Sequence, residues 1–158
     1  RLEREAKKVA ADLLFQGHRF TREAQDKPLA VQTFLALAPR FGASYEAALR
    51  RFVEHHVIPC AVIVYDKLSK DTEVDPEDDI YKLQYVITSE TFRRRFFAGI
   101  TVTPNRFTRS ELYKPKLWGG VVKDELIVGD DHDKKRFETE LFSNGYKIFQ
   151  LCCKPIPT

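Results

Sequence analysis

Residues 60–65 read Cys-Ala-Val-Ile-Val-Tyr, immediately after Pro59. An unbroken apolar run of this length offers neither face of a strand to water, so it belongs at the centre of a sheet. The pattern differs on its two sides. Upstream, apolar residues recur at helical spacing; downstream, they alternate or come in short runs between turn residues. The chain is therefore expected to be α+β: N-terminal helices that include a helix-turn-helix-like pair, then a mostly antiparallel sheet.

A first helix is expected from Leu2 to about Phe15. Leu2, Ala6, Val9, Ala10 and Leu13 form its apolar stripe, and Gly17 stops it. Glu3 projects at the edge of that stripe, between Ala10 and Leu14, whereas Glu5 falls well outside it. A carboxylate on an inward-leaning face needs a cation or a metal as partner. From about Pro28 to His56 the pattern reads helix, turn, helix. Val31, Phe34, Leu35 and Ala38 give the first apolar face, Phe41-Gly42-Ala43 the turn, and Ser44 the N-cap. Tyr45, Ala48, Leu49, Phe52, Val53 and His56 form the stripe of the second helix.

Downstream, an acidic loop runs from Lys67 to Asp79. Tyr81, Leu83, Tyr85 and Ile87 alternate with polar neighbours, which predicts a half-buried strand with these four on one face. Phe92–Phe97 reads as a further strand, with Arg93 and Arg95 on one side and Arg94 on the other. Residues 99–120 read mostly as loop, with a short helix as the alternative for part of it, Val121–Val128 as a strand, and Asp130–Asp133 as a polar turn. Phe137–Phe142 and Tyr146–Cys153 flank Asn144-Gly145, the strongest hairpin signal in the chain.

Composition narrows the function classes. Apolar residues make up 43% of the 158, enough for a sizeable core. The 26 basic and 23 acidic residues leave a net charge of +3, too small to draw the chain to nucleic acid by itself. No apolar run approaches the roughly 18 residues of a membrane span, and no signal peptide is expected, so a cytoplasmic location without membrane contact is expected. Cys60, Cys152 and Cys153 sit in apolar surroundings without a Cys-x-x-Cys unit, which predicts buried free thiols. No Gly-x-Ser-x-Gly occurs, and no cysteine has an identifiable base. The chain opens at Arg1-Leu2-Glu3, without Met and already inside a helical pattern, so further residues are expected upstream.

Residues 3–15 read Glu-Arg-Glu-Ala-Lys-Lys-Val-Ala-Ala-Asp-Leu-Leu-Phe. This resembles a helix of the ImmA/IrrE family of zinc metallopeptidases, in which a glutamate precedes a run ending Ala-Ala-x-Leu-Leu-Met-Pro. Leu37-Ala38-Pro39-Arg40-Phe41-Gly42-Ala43-Ser44, followed by Ala47-Ala48-Leu49, is similar to the family's next stretch. Ile58-Pro59 leading into the strand at Cys60 looks like the entry to its GAF-like sensor domain. The likeness covers residues 1–66 and is pattern-level beyond. Phe15-Gln16 stands where the family has Met-Pro, Pro39 where a helix interior is expected, and His-Glu-x-x-His is absent.

The resemblance implies a division into a peptidase remnant over 1–27, a helix-turn-helix-like connector over 28–56 and a GAF-like sensor over 57–158. It implies that Glu3 is the third zinc ligand of a parent endopeptidase that cleaves a helix-turn-helix repressor in a stress or mobile-element response. Two histidines at i and i+4 would supply the other ligands, with the intervening glutamate as base. His18, His55, His56 and His132 do not have that spacing, so the 158 residues are expected to be non-catalytic and to hold no zinc alone. A small-molecule effector is expected for the sensor.

The alternative is a DNA-binding transcriptional regulator with a ligand-sensing domain. Arg40, Arg50 and Arg51 would then touch phosphate. The expected outer face of the second helix, Glu46, Arg50, Arg51, Glu54 and His55, nearly cancels in charge, which disfavours DNA. Arg93 and Arg95 are candidates to line an anion-binding sensor pocket. His55-His56 is expected to suit a helix C-terminus as positive charge.

Overall fold

The computed structural model describes residues 2–67, 80–96, 106–108, 120–128 and 135–156. Four helices come first: α1 (Leu2–Leu14), α2 (Arg19–Gln25), α3 (Val31–Arg40) and α4 (Tyr45–Glu54). Strands β1 (Ala61–Lys67) and β2 (Ile80–Thr88), helix α5 (Glu90–Arg95), then β3 (Arg106–Thr108), β4 (Val122–Val128), β5 (Lys135–Ser143) and β6 (Lys147–Pro155) complete the described elements. The architecture is α+β. The six strands form one sheet in the order β3-β2-β1-β6-β5-β4, antiparallel at every pairing. The apolar run at residues 60–65 lies in a central strand, with Cys60 to Tyr65 all buried.

Because β1 is apolar on both sides, the sheet has two buried faces. On one, Val62, Val64, Ile87, Phe149 and Leu151 meet Phe34, Leu37, Leu49, Phe52 and Val53 of α3 and α4. On the other, Ile63, Tyr65, Tyr81, Phe137, Leu141 and Ile148 gather with Phe92 of α5. A buried polar row crosses this second face: the Tyr65 hydroxyl donates to Gln150 Oε1 at 3.0 Å, and Gln150 Nε2 donates to Thr139 Oγ1 at 3.1 Å. Each side chain answers the next, so these buried polar groups are paired with one another.

Local chemistry sets the element ends. Gln16 and Gly17 adopt φ of 51° and 63°, and the Gly17 amide reaches back to the Asp12 carbonyl at 2.7 Å, closing α1. Ser44 Oγ accepts from the Ala47 amide at 3.2 Å and starts α4. Replacing Ser44 by alanine is expected to cost about 1 kcal/mol, read as a lower urea midpoint at unchanged slope. At Asn144-Gly145-Tyr146 the Asn144 side chain accepts from the Tyr146 and Lys147 amides at 3.0 and 2.8 Å, fixing the β5–β6 hairpin.

Four expectations are corrected. The expected strand at 92–97 is a helix over its described part: Ser89 accepts from the Phe92 amide at 3.1 Å and starts α5, Phe92 pairs with Phe96 one turn on at 4.6 Å, and Phe97 lies outside the described residues. Arg93 and Arg95 therefore do not share a face. Tyr81, Leu83, Tyr85 and Ile87 do not line one side of β2, because a bulge shifts the register between Val64 and Tyr65. Tyr81 and Leu83 join the second face, Tyr85 and Ile87 the helical one. A short helix, α2, lies between Gly17 and Pro28, where the sequence pattern predicts no element, held by Phe20 edge-on to Phe15 and Phe41 at 4.8 and 5.2 Å.

The apolar stripe of α1 is the fourth correction. It does not face the core: Leu2 is 83% exposed, Val9 59% and Leu13 75%. The chain is anchored on roughly the opposite side of the helix, through Ala11 and, just past its end, Phe15. Most of the acidic loop at 67–79, most of the loop at 99–120 and the turn at 130–133 lie outside the described residues.

Candidate functional site

The helices and the sheet are tied by a knot of four polar side chains from three elements. Glu46 stands in the first turn of α4. The Tyr85 hydroxyl donates to its Oε1, and Lys147 Nζ donates to both of its oxygens at 3.2 and 3.0 Å. Arg50, one turn further along α4, lies 5.3 Å from the centre of the Tyr85 ring, and Lys147 lies 5.9 Å from it. The β2 bulge is what makes this possible, since an extra residue in one strand turns the residues beyond it to the opposite face. Without it Tyr85 would stay on the far side of the sheet.

The charge state of the knot is set by its surroundings. Burial alone would raise the Glu46 carboxyl, but bonds from Tyr85 and Lys147 and the charges of Lys147 and Arg50 outweigh it and hold it below the usual carboxylate range. The Tyr85 phenol is pushed up to about 12, by burial first and then by its bond to Glu46. At neutral pH the knot is thus a carboxylate held by a phenol and an ammonium, which suits fastening rather than proton transfer.

Beside the knot lies a groove of about 540 Å³ between α3, the start of α4, the β5–β6 hairpin and the entry to β4. Tyr45 and Phe142, edge to face at 5.6 Å, form its aromatic wall, with Leu35 and Val121 as aliphatic walls. Gln32 and Asn144 contribute amides to the lining. A second groove of about 540 Å³ runs along β4 and β5 past Glu125, Glu138 and Glu140 to Cys153. Glu140 is already used there, accepting from the Val31 amide at 2.7 Å.

The cysteines offer no nucleophile. All three are free, and burial pushes Cys60 and Cys153 up to about 12. Such thiols stay protonated and unreactive. His56 is buried, its Nδ1 accepts from the Ile58 amide at 3.1 Å, and burial lowers its pKa. His55 is lowered too, by burial and then by the Arg51 charge. Burial thus works against the positive charge expected of both histidines at the end of α4.

The sequence candidates are scattered. Glu3 is exposed on the outer half of α1. Among the described residues no three His, Cys, Asp or Glu side chains converge as a metal would require. A zinc at Glu3 thus lacks a full set of three donors among them. Arg40 pairs with Glu23 at 2.9 Å and Arg50 with Glu54 at 3.2 Å. Arg51 is not on the outer face of α4. Its side chain is 11% exposed, and it donates to Asp12 Oδ1 at 3.2 Å and to the Gly17 carbonyl at 2.9 Å, clamping the end of α1. Glu46 also leaves that face for the knot. Arg93 donates to the Thr88 carbonyl and hydroxyl, both at 3.3 Å, and Arg95 lies over the Phe96 ring at 5.7 Å. The two arginines line neither groove.

Sequence reasoning missed the knot and the first groove. Glu46 and Lys147 are 101 positions apart, and Glu46 and Tyr85 are 39 apart. The one local signal was Glu46 itself, an acid in a helix first turn. No family model matches this chain, and no curated protein matches it. Among the described residues, no helix is long and apolar enough to cross a membrane.

Proposed function

We propose that this chain is the regulatory part of an ImmA/IrrE-type zinc endopeptidase that cleaves a helix-turn-helix repressor in the cytoplasm. The observation that carries the reading is the uncovered stripe of α1. Leu2, Val9 and Leu13 are spaced as a packing face, yet they stand in water. A stripe of this kind marks a surface that meets another protein element. In the proposed arrangement that element is the remainder of a peptidase domain, and Glu3, at the edge of the same stripe, contributes one zinc ligand there. The helices α2–α4 connect, and the sheet responds to an effector. The GAF-like character of the sheet is part of this proposal.

The test uses the full-length protein that carries these residues. Zinc content and repressor cleavage are measured for the parent and for Glu3→Gln. Stoichiometric zinc and cleavage in the parent, with both reduced at least tenfold in the variant, are expected, because a site of three protein ligands does not survive loss of one. Cleavage that persists in the variant, or a parent that neither binds zinc nor cleaves, removes the proposal.

A further inference from the structure

We propose that the groove between α3, α4 and the β5–β6 hairpin is a small-molecule site for a planar aromatic compound with one hydrogen-bonding edge. Its volume of about 540 Å³ lies inside the range of roughly 300–1,000 Å³ of ligand pockets, and it sits where two structural layers meet. The walls set the class of ligand. Tyr45 and Phe142 present aromatic surface, Tyr45 in particular being an exposed ring at the first position of α4. An aromatic guest stacks edge to face or offset against such rings. Leu35 and Val121 flank it with aliphatic surface.

The polar complement is small and neutral. The Gln32 side-chain amide makes no hydrogen bond to any described residue. Asn144 spends its Oδ1 on the hairpin amides, which leaves its Nδ2 hydrogens for a guest. Gln32, Asn144 and Ser143 are all uncharged. The site therefore favours a neutral lactam, amide or carbonyl edge over a phosphate or a carboxylate, which would be desolvated there without a cation.

The location gives binding a consequence. Two of the walls, Tyr45 and the hairpin, adjoin Glu46 and Lys147, the two charged members of the knot. A guest held between them bears on the spacing of α4 and β6, where helices and sheet are fastened. This deepens the effector proposed above and rests on that reading only for the consequence; the binding itself needs no peptidase.

The experiment titrates the full 158-residue chain with 2-quinolinone, a planar lactam, and with indene, a similar ring system without the polar edge, following backbone amides by NMR. Saturable shifts centred on Gln32, Tyr45, Phe142 and Gly145 are expected, with 2-quinolinone binding at least fivefold tighter than indene. Leu35→Trp fills the groove and is expected to weaken 2-quinolinone at least tenfold. Gln32→Leu, at an exposed position that leaves the fold intact, is expected to erase the preference for the lactam. The proposal falls if no saturable shifts appear at millimolar probe, if they centre elsewhere, or if Gln32→Leu leaves the preference unchanged. Failure here leaves zinc binding and repressor cleavage by the full-length protein untouched, so the two proposals are separable.

Discussion

Phe52→Ala is expected to destabilise the protein by about 3–5 kcal/mol, the range for truncating a buried aromatic. Phe52 is 2% exposed and lies where α4 meets both α3 and the connector to β1. Its ring centre is 6.3 Å from that of Phe34 and 5.0 Å from that of His56. Truncation opens a cavity whose lining comes from two layers, and the surrounding rings cannot collapse into it without moving a helix off the sheet. Phe52→Leu is expected to cost far less, since most of the volume stays. Urea unfolding followed by circular dichroism and by tyrosine fluorescence reads the effect. One transition by both probes is expected, because helices and strands share the core around Phe52. A loss below about 1 kcal/mol, or separate transitions for helices and sheet, contradicts a shared core.

That shared core explains which parts of the fold were legible in the sequence. Helical spacing at Val31–Ala38 and Tyr45–Val53 was strong because each helix buries one stripe. The run at Cys60 was strong because a central strand has no wet face. Asn144-Gly145 and Ser44 were legible because their side chains act on the backbone within three residues. The misreadings all depend on what an element packs against. Phe92–Phe97 fits alternation and a helical turn equally well, and only the Ser89 cap decides between them. In β2 Tyr81, Leu83, Tyr85 and Ile87 recur at every second position, yet a bulge sends half of them to each face, and Val86 joins the second face between Tyr85 and Ile87. In α1 the stripe was found and its direction was not, since amphipathicity names a packing face without naming its partner. Arg51 shows the same limit, because a cation near the end of a helix reads as surface until Asp12 and the Gly17 carbonyl are brought to it.

Glu46→Ala is expected to cost about 1–3 kcal/mol, the penalty of leaving partly buried donors without an acceptor. The Tyr85 hydroxyl and Lys147 Nζ both lose their shared partner, while the positive charges of Lys147 and Arg50 remain next to each other. Lys147→Met costs less, because Tyr85 keeps its bond and the Lys147 side chain is 21% exposed to water. The double-mutant cycle for Glu46→Gln and Lys147→Met should give a coupling of about 0.5–1.5 kcal/mol. The pH dependence tests the charge separately. The Glu46 carboxyl is depressed in the folded state below its ordinary value of 4.5. Its contribution is therefore fully present above the unfolded value and fades as pH falls through the folded one. The stability gap between the parent and Glu46→Gln should be flat from pH 6 to 8 and should close in acid, below about pH 4.5. A gap that persists unchanged at pH 3 would mean that shape, and not the carboxylate charge, holds the helices to the sheet. The same knot would then be indifferent to any ligand that works by pulling Glu46 and Lys147 apart.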